Sequence, residues 1–494
     1  MHWIGFDIGS SSIKAALINT ADGSVLDIAQ YPKKEMPIIS INLGWGEQDP
    51  ELWWKHLCAA THELISKNTI SKNDIKGIGI SYQMHGLVTV DKNLQPLRPS
   101  IIWCDSRAVD IGEQLFQASG TEKCVERLLN SPGNFTLSKL KWVKDNEPDT
   151  YKKIHKFMLP GDYIALKLSG SCVTSPSGLS EGIMWDFKEN DVASWLLEDA
   201  GINPSLIPEI RPSFSEQGVV SKQGALESGL PEGIPIMYRA GDQPNNALAL
   251  NVMEPGEIAA TGGTSGVVYA ISGQKNTQEH TRINSFAHVN HDQENIRIGK
   301  LLCINGTGIQ YSWVRNELTN ALSYNSMNEQ AETVPIGSEE LYILPFGNGA
   351  ERMLNNSNKG SRMLNLNFNV HKAPHIFRAA LEGIAFSFVY GMEILKNDGV
   401  DIASIKAGND NLFRAGIFSR TIATLTNSRI DIVETTGAVG AARAAAFAFG
   451  DFKSIGEATA TDAVQLSYQP DDPAEKYREA YDKWKKQLEE YIDN

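Results

Sequence analysis

Short apolar runs punctuated by polar turns open the chain. Residues 3–8, 13–19 and 25–31 are separated by Gly9-Ser10-Ser11-Ser12 and by Asp22-Gly23-Ser24. Runs of this length between glycine-bearing turns predict three strands in an antiparallel meander. The arrangement returns further on, where Ile258-Ala259-Ala260 and Val267-Val268-Tyr269-Ala270-Ile271 flank Thr261-Gly262-Gly263-Thr264-Ser265-Gly266. The chain reads as a duplication with a boundary near residue 250, and so as two domains, 1–248 and 249–494.

Helical periodicity fills the space between the meanders. Asp49 as N-cap and Pro50 as first helical residue precede Trp53, Leu57, Ala60 and Leu64, an i, i+4, i+7, i+11 stripe that lays one face on a sheet. Strands at 75–80, 234–238, 342–344, 402–406 and 429–433 alternate with helices such as 374–397, in which Leu381, Ile384, Ala385, Phe388 and Met392 share a face. Asp472-Pro473 starts a last helix whose Tyr477, Tyr481, Trp484 and Leu488 dock on a domain. The alternation predicts an α/β fold.

Composition narrows the function. With 494 residues and 41% hydrophobic content, the chain can bury sizeable cores. Its 59 acidic against 45 basic residues give a net charge of -14, which repels nucleic acid and anionic membrane and leaves neither as an expected partner. The most apolar helical stretch, 438–449, is interrupted by Arg443 and falls short of the ~20 residues of a membrane span. The first residues lack the basic and apolar regions of a secretory signal, so the expected location is cytoplasmic. Five cysteines without a C-x-x-C pair are expected to be reduced and structural.

Three places can carry chemistry. Asp7-Ile8-Gly9-Ser10-Ser11-Ser12-Ile13-Lys14 ends a strand with a carboxylate and then offers backbone N–H groups, hydroxyls and an ammonium. Such a turn can cradle phosphate, and Asp7 can hold Mg²⁺ directly or through water. The turn Gly262-Gly263-Thr264-Ser265-Gly266 stands at the matching point of the second half, so that two facing hairpins would clamp one triphosphate. Ala240-Gly241-Asp242-Gln243-Pro244 follows a strand and precedes a helix; Asp242 there is either a helix N-cap or a base for a substrate hydroxyl. Gln83-Met84-His85-Gly86 and Trp103-Cys104-Asp105-Ser106-Arg107 offer amide, imidazole and indole groups suited to a polyhydroxylated ligand. No G-x-x-x-x-G-K-[ST] run is present, and Gly77-Ile78-Gly79 lacks the third glycine of a dinucleotide fingerprint. His288-x-x-His291 and His371-x3-His375 read as surface histidines rather than metal ligands.

In order and spacing these blocks resemble the FGGY family of carbohydrate kinases over nearly the whole chain. The matching pieces are IGFDIGSSSIK (4–14), WGEQDPELWW (45–54), QMHG (83–86), W-x-D-x-R (103–107), GDQ (241–243), GGTSG (262–266), RAALEG (378–383) and GAVGAARAA (437–445). The resemblance implies two actin-like, ribonuclease-H-like domains with ATP and sugar in the cleft between them. It implies that Asp242 is the catalytic base and that Asp7 organises Mg²⁺. Gly9, Ser10, Ser11, Lys14, Gly263 and Thr264 would lie at the ATP phosphates, and Gly306, Gln310, Gly408 and Asn409 near the rest of the nucleotide. Gln83, Met84, His85, Trp103, Asp242 and Gln243 would line the sugar site.

Within the family the sequence is most similar to the xylulose kinases, through EQDPELWW and the Gln-Met-His triplet. It departs from them at Asp242-Gln243-Pro244, at Ala407-Gly408-Asn409 and at Asn348-Gly349-Ala350-Glu351-Arg352. The expected reaction is ATP-dependent phosphorylation of a small sugar, D-xylulose to D-xylulose 5-phosphate, with gluconate, ribulose or another ketose as alternatives within the class. An actin-like ATPase without a sugar acceptor is the alternative outside it. A homodimer is left open.

Overall fold

The opening runs form β1 (His2–Ile8), β2 (Ile13–Asn19) and β3 (Val25–Tyr31), paired antiparallel in that order. This computed structural model describes residues 1–494 apart from Thr69, Asp410 and Asn494, and apart from the side chain of Asn411. α1 (Pro50–Lys67) covers one face of the hairpins. Asp49 accepts a hydrogen bond from the Glu51 N–H, and Trp53, Leu57, Ala60 and Leu64 all turn inward. The chain returns as β4 (Ile75–Tyr82), parallel to β1. An insertion containing α2 (Thr136–Asn146) and α3 (Pro176–Glu181) follows, and then β5 (Ile236–Gly241), parallel to β4, and α4 (Asp242–Ala249). The sheet order is β5-β4-β1-β2-β3. β5 starts later than its apolar run because Pro235 has no N–H for the ladder, and it runs on to Gly241.

The second sheet holds β6 (Glu257–Gly262), β7 (Gly266–Ser272), β8 (Asn284–Ala287), β9 (Ile298–Ile304), β10 (Ser404–Gly408), β11 (Ile430–Val433) and β12 (Val464–Tyr468). Its order is β8-β9-β7-β6-β10-β11-β12. Within it β11-β10-β6-β7-β9 repeats the order and strand directions of the first sheet. This is the duplication expected from the two hairpin turns, in the actin-like form that the family resemblance implied. The run at 342–344 joins neither main sheet; Tyr342–Leu344 pairs with Arg362–Leu364 as a separate ribbon.

Helices of the second half include α5 (Gly308–Leu318), α6 (Ala373–Asn397), α7 (Gly416–Thr426), α8 (Gly437–Phe449) and α9 (Ala474–Asp493). The α6 stripe and Tyr477, Tyr481, Trp484 and Leu488 of α9 are buried in one core, where the Trp484 indole N–H donates to the Ile343 carbonyl at 2.9 Å. α8 leaves the second sheet and packs on the first. A Cβ added at Gly5 would stand 1.9 Å from the Ala438 carbonyl oxygen, and one at Gly79 would stand 1.9 Å from that of Ala441. The helix backbone therefore lies directly on the strands. Arg443, which interrupts the apolar run, is buried, pairs with Asp462 at 2.5 Å and donates to the Gly23 carbonyl. At its start α8 crosses α4, where the Asn245 amide donates to the Gly437 carbonyl at 2.8 Å. Among the described residues no helix is long and apolar enough to cross a membrane, and all five cysteines are free.

The two histidine pairs are not surface residues. His288 is only 1% exposed and lies 3.1 Å through Nδ1 from the Tyr269 hydroxyl, while His291 Nδ1 accepts from the Arg297 N–H. His371 is buried between the Asn367 N–H and the Glu339 carbonyl, and His375 Nε2 is 3.3 Å from the Glu339 carboxylate. Polar partners on Tyr269, Arg297, Asn367 and Glu339 go with burial at positions that look solvent-facing in the sequence. Among the described residues no cluster of three or more His, Cys, Asp or Glu side chains could hold a metal.

Candidate active site

Strand register collects the two candidate acids. Asp7 of β1 pairs across with Ser81 of β4, and Ser81 pairs with Ala240 of β5, so Asp242 emerges two residues beyond the same row. The Ser81 hydroxyl donates to Asp7 at 3.1 Å. Burial raises the Asp7 pKa, and Lys14, its neighbour across the hairpin, opposes the shift. The first turn of α8 sits against this carboxylate, since a Cβ on Gly437 would lie 2.8 Å from an Asp7 oxygen. The positive end of the helix dipole thus faces an anion.

Asp242 is the first residue of α4, and Gly241 occupies the N-cap position that the sequence reading allowed for Asp242. Burial, and then the Asp7 charge, push its pKa up to about 7. A carboxylate so placed is poised to exchange a proton near neutrality. The second half closes over it: burial first, with the Asp242 charge among the further contributions, raises the Cys303 thiol of β9 to about 11.

The first glycine-serine turn, residues 9–12, is pinned from outside. The Gln48 amide donates to the Ser10 carbonyl at 2.7 Å, Met36 N–H to the Ser11 carbonyl at 2.8 Å, and the Trp103 indole to the Ser10 hydroxyl at 3.2 Å. With these carbonyls engaged, the N–H groups of Ser10 and Ser11 have no protein partner among the described residues. In the second turn the Gly263 and Thr264 carbonyls accept from Gly308 and Ile309 at the start of α5, and the Thr264 and Ser265 N–H groups have no protein partner among the described residues. Consecutive unpaired N–H groups in a turn form an anion nest.

The residues expected to line a sugar site, Gln83, Met84 and His85, lie beside the Gly241–Asp242 strand end. Gln83 is 2% exposed, and its side-chain oxygen lacks a partner. Met84 is buried against Gly241. His85 has a left-handed backbone, φ 61, and rests on the rings of Phe135 and Phe286 at 4.8 and 5.3 Å. Its Nδ1 is 2.9 Å from the Glu181 carbonyl, which can only accept, so Nδ1 carries the hydrogen and Nε2 is left as an acceptor. Burial pulls its pKa down to about 3, which keeps the ring neutral. Trp103, 53% exposed, stands over the Ser10 turn. In contrast, Asp105 and Arg107 of the same motif face inward: they bind each other at 2.6 Å, and the guanidinium also meets Glu47 and the Trp45 ring. Gln243 is half-buried at the mouth.

Of the residues expected near the nucleotide, Gly408 ends β10 and Asn409 follows it, with the Asn409 N–H donating to the Val433 carbonyl. Gly306 is covered by the Pro345 carbonyl, and its N–H donates to Glu351. Gln310 on α5 keeps a buried, unpartnered amide oxygen. A cavity of about 1050 Å³ lies elsewhere between the halves and is lined by residues such as Trp185, Phe214 and His288, with none of the candidate residues.

Two side chains at the site, Lys139 and Glu181, were absent from the sequence reading, and a third, Glu351, stood in it only as part of the motif at 348–352. Lys139 of α2 is buried beneath the loop, where it donates to the His85 and Ile102 carbonyls, and burial lowers its pKa to about 7. Glu351 accepts from the Asn305 and Gly306 N–H groups, and burial raises its pKa to about 7. Glu181, at the end of α3, lies under Asp242. Its only sequence signal is a lone acid in the otherwise uncharged stretch 173–185.

Comparison with known proteins agrees with this geometry. Residues 2–249 match the N-terminal domain of the FGGY family of carbohydrate kinases, and residues 258–449 match its C-terminal domain. The xylulose kinase of Staphylococcus xylosus is 29% identical over 466 residues, 92% of this chain and 93% of that one. The solved xylulose kinase from Rhodospirillum rubrum superposes with a TM-score of 0.88 at 25% identity over the full length of both chains. Gluconate kinase from Lactobacillus acidophilus shares the fold, with a TM-score of 0.88 at 22% identity over 99% of this chain and 98% of that one. Both halves of the chain, hairpin turns and strand-end acids included, are therefore accounted for by one family: the protein belongs to the FGGY carbohydrate kinases.

Proposed function

We propose that the protein transfers the γ-phosphoryl group of ATP to a hydroxyl of a neutral ketopentose, converting D-xylulose to D-xylulose 5-phosphate. The observation that carries this reading is the neutral, acceptor-presenting His85 beside the strand-end acid Asp242. The relatives named above add weight. Ser10, Ser11, Thr264 and Ser265 N–H groups receive the phosphates, with Gly9, Lys14 and Gly263 shaping the two turns. Gly408, Asn409 and Gln310 flank the rest of the nucleotide. Asp242 takes the proton from the attacking hydroxyl as that oxygen approaches phosphorus in line, and positioning supplies most of the rate. Asp7 offers hard carboxylate oxygens beside the phosphate turn, a donor set that suits Mg²⁺. The ion would neutralise phosphate charge there.

A carboxylate substrate such as gluconate calls for an arginine fork. The cation under the sugar loop, Lys139, is instead engaged with main-chain carbonyls. Wild type assayed on xylulose, ribulose, gluconate and glycerol at saturating ATP is expected to prefer xylulose. His85→Ala should lower kcat/KM for xylulose by about 10- to 100-fold, as a buried hydroxyl loses its partner, with less effect on basal ATP hydrolysis. A preference for gluconate or glycerol, or an unaffected variant, would remove xylulose from the reading and keep the sugar kinase. Asp7→Asn should slow turnover and raise the Mg²⁺ concentration needed for half-maximal rate; an unchanged Mg²⁺ dependence with normal turnover would take Asp7 out of the site.

A further inference from the structure

Glu181 is a costly residue for a protein to keep. It is 1% exposed, and its Oε1 has no hydrogen-bond partner. Its other oxygen occupies the space beside Gly241 where a side chain would begin: a Cβ added there would lie 2.3 Å from Glu181 Oε2 and 2.6 Å from Met84 Cγ. The Gly241 backbone, at φ -59, is open to any residue, so it is the carboxyl group and Met84 that require the glycine. The main-chain oxygen of the same residue holds His85 Nδ1 at 2.9 Å. One residue therefore touches both the turn that launches the base and the ring that faces the sugar.

We propose that Glu181 is a positioning residue for phosphoryl transfer, coupling the Gly241–Asp242 turn to the His85 loop so that the acceptor hydroxyl and its base stay in register. The inference rests on the kinase reading above. The groups around the carboxyl fix its charge. Tyr82 of β4, Asp162 next to Arg239, Asp242 of α4 and Tyr269 of β7 surround it, with Lys139 of α2 the nearby cation. Burial first, and then the charges of Asp242 and Asp162, raise its pKa well above the ordinary value. The fold thus favours the protonated form of Glu181 over a second negative charge under Asp242.

The test is a mutant cycle on the full-length enzyme. Glu181→Ala frees the turn and should lower kcat on the preferred sugar by roughly 10- to 100-fold, the scale of a slightly misplaced reactant, while KM for ATP stays within about twofold on that basis. Glu181→Gln keeps shape and neutrality and should restore kcat to within about threefold. Gly241→Ala should be as harmful as Glu181→Ala, and the double variant should exceed Gly241→Ala, because the added methyl then enters the vacated space. Protonation gives a second readout. A carboxyl whose folded pKa is raised binds a proton on folding, so wild type loses stability as pH rises above the unfolded value near 4.5. The melting advantage of Glu181→Gln should therefore grow from pH 5 to pH 8; this comparison and Gly241→Ala carry the test if Glu181→Ala does not fold. Wild-type kcat and sugar preference in Glu181→Ala, or strictly multiplicative losses in the double variant, would overturn the proposal. A pH-independent melting difference would also count against it. Wild type inactive on every sugar would instead overturn the kinase reading.

Discussion

Asp242→Asn should reduce sugar phosphorylation by about 10² to 10⁴-fold while leaving sugar binding intact, the range typical of losing a general base. The amide keeps the shape of the side chain at the head of α4 and cannot take a proton. The wild-type pH profile supplies the companion result. With the pKa of Asp242 raised to about 7 by burial and by Asp7, the base is protonated below that pH. kcat/KM should then fall about tenfold per pH unit on the acid side and level off above pH 7; the residual activity of the variant should lack that limb. Misfolding would not explain the loss. An acid with a raised folded pKa costs stability as pH rises from its unfolded value toward the folded one, so at pH 7.5 the neutral asparagine should melt at or above wild type. Near-normal turnover in Asp242→Asn would leave the residue as the first turn of a helix and nothing more.

The largest expected loss of stability lies away from the cleft. Lys300 of β9 and Asp398, which caps the end of α6, form an ion pair at 2.5 Å with both side chains fully buried. Asp398 also accepts from the Gln278 and Glu279 N–H groups, and Lys300 donates to the Asn276 carbonyl. Asp398→Ala strands an ammonium and two amides in the interior. The cost should be about 3–5 kcal/mol, or on the order of 10 °C in melting temperature for a domain of this size. Lys300→Met combined with Asp398→Asn removes the buried charge and keeps an acceptor for the amides, and it should recover much of the loss. Equal melting of wild type and Asp398→Ala would show that the pair is not stabilising the second half.

Local patterns made the fold legible. Each hairpin turn carries its own glycines and hydroxyls, and α1 announces its start with Asp49-Pro50 and its buried face with Trp53, Leu57, Ala60 and Leu64. Two such turns, at residues 9–12 and 262–266, sufficed to predict the duplication that the strand orders display. What stayed hidden depends on partners far apart in sequence. Lys139 reads as a polar position in a helix until His85, 54 residues earlier, supplies a carbonyl for its ammonium. His288 reads as a loop residue until the Tyr269 hydroxyl reaches it. In the Trp103–Arg107 motif the sequence did not show that Asp105 and Arg107 lock their own loop through Glu47 and Trp45, while Trp103 faces outward.

The seat of α8 on the first sheet bears on how tolerance to mutation should be read in this protein. At Gly5 and Gly79 even a methyl group would overlap a helix carbonyl, with 1.9 Å separations where ordinary contact needs more than 3.4 Å, and the obstacle is backbone that cannot swing aside. A saturation screen scored by growth would therefore mark these glycines as intolerant as Asp7 or Asp242, though they touch no reactant. A screen scored by protein abundance would separate the two groups. Substitutions at Gly5 and Gly79 should deplete the folded chain itself, whereas neutral replacements of the strand-end acids should leave it as plentiful as wild type and silent.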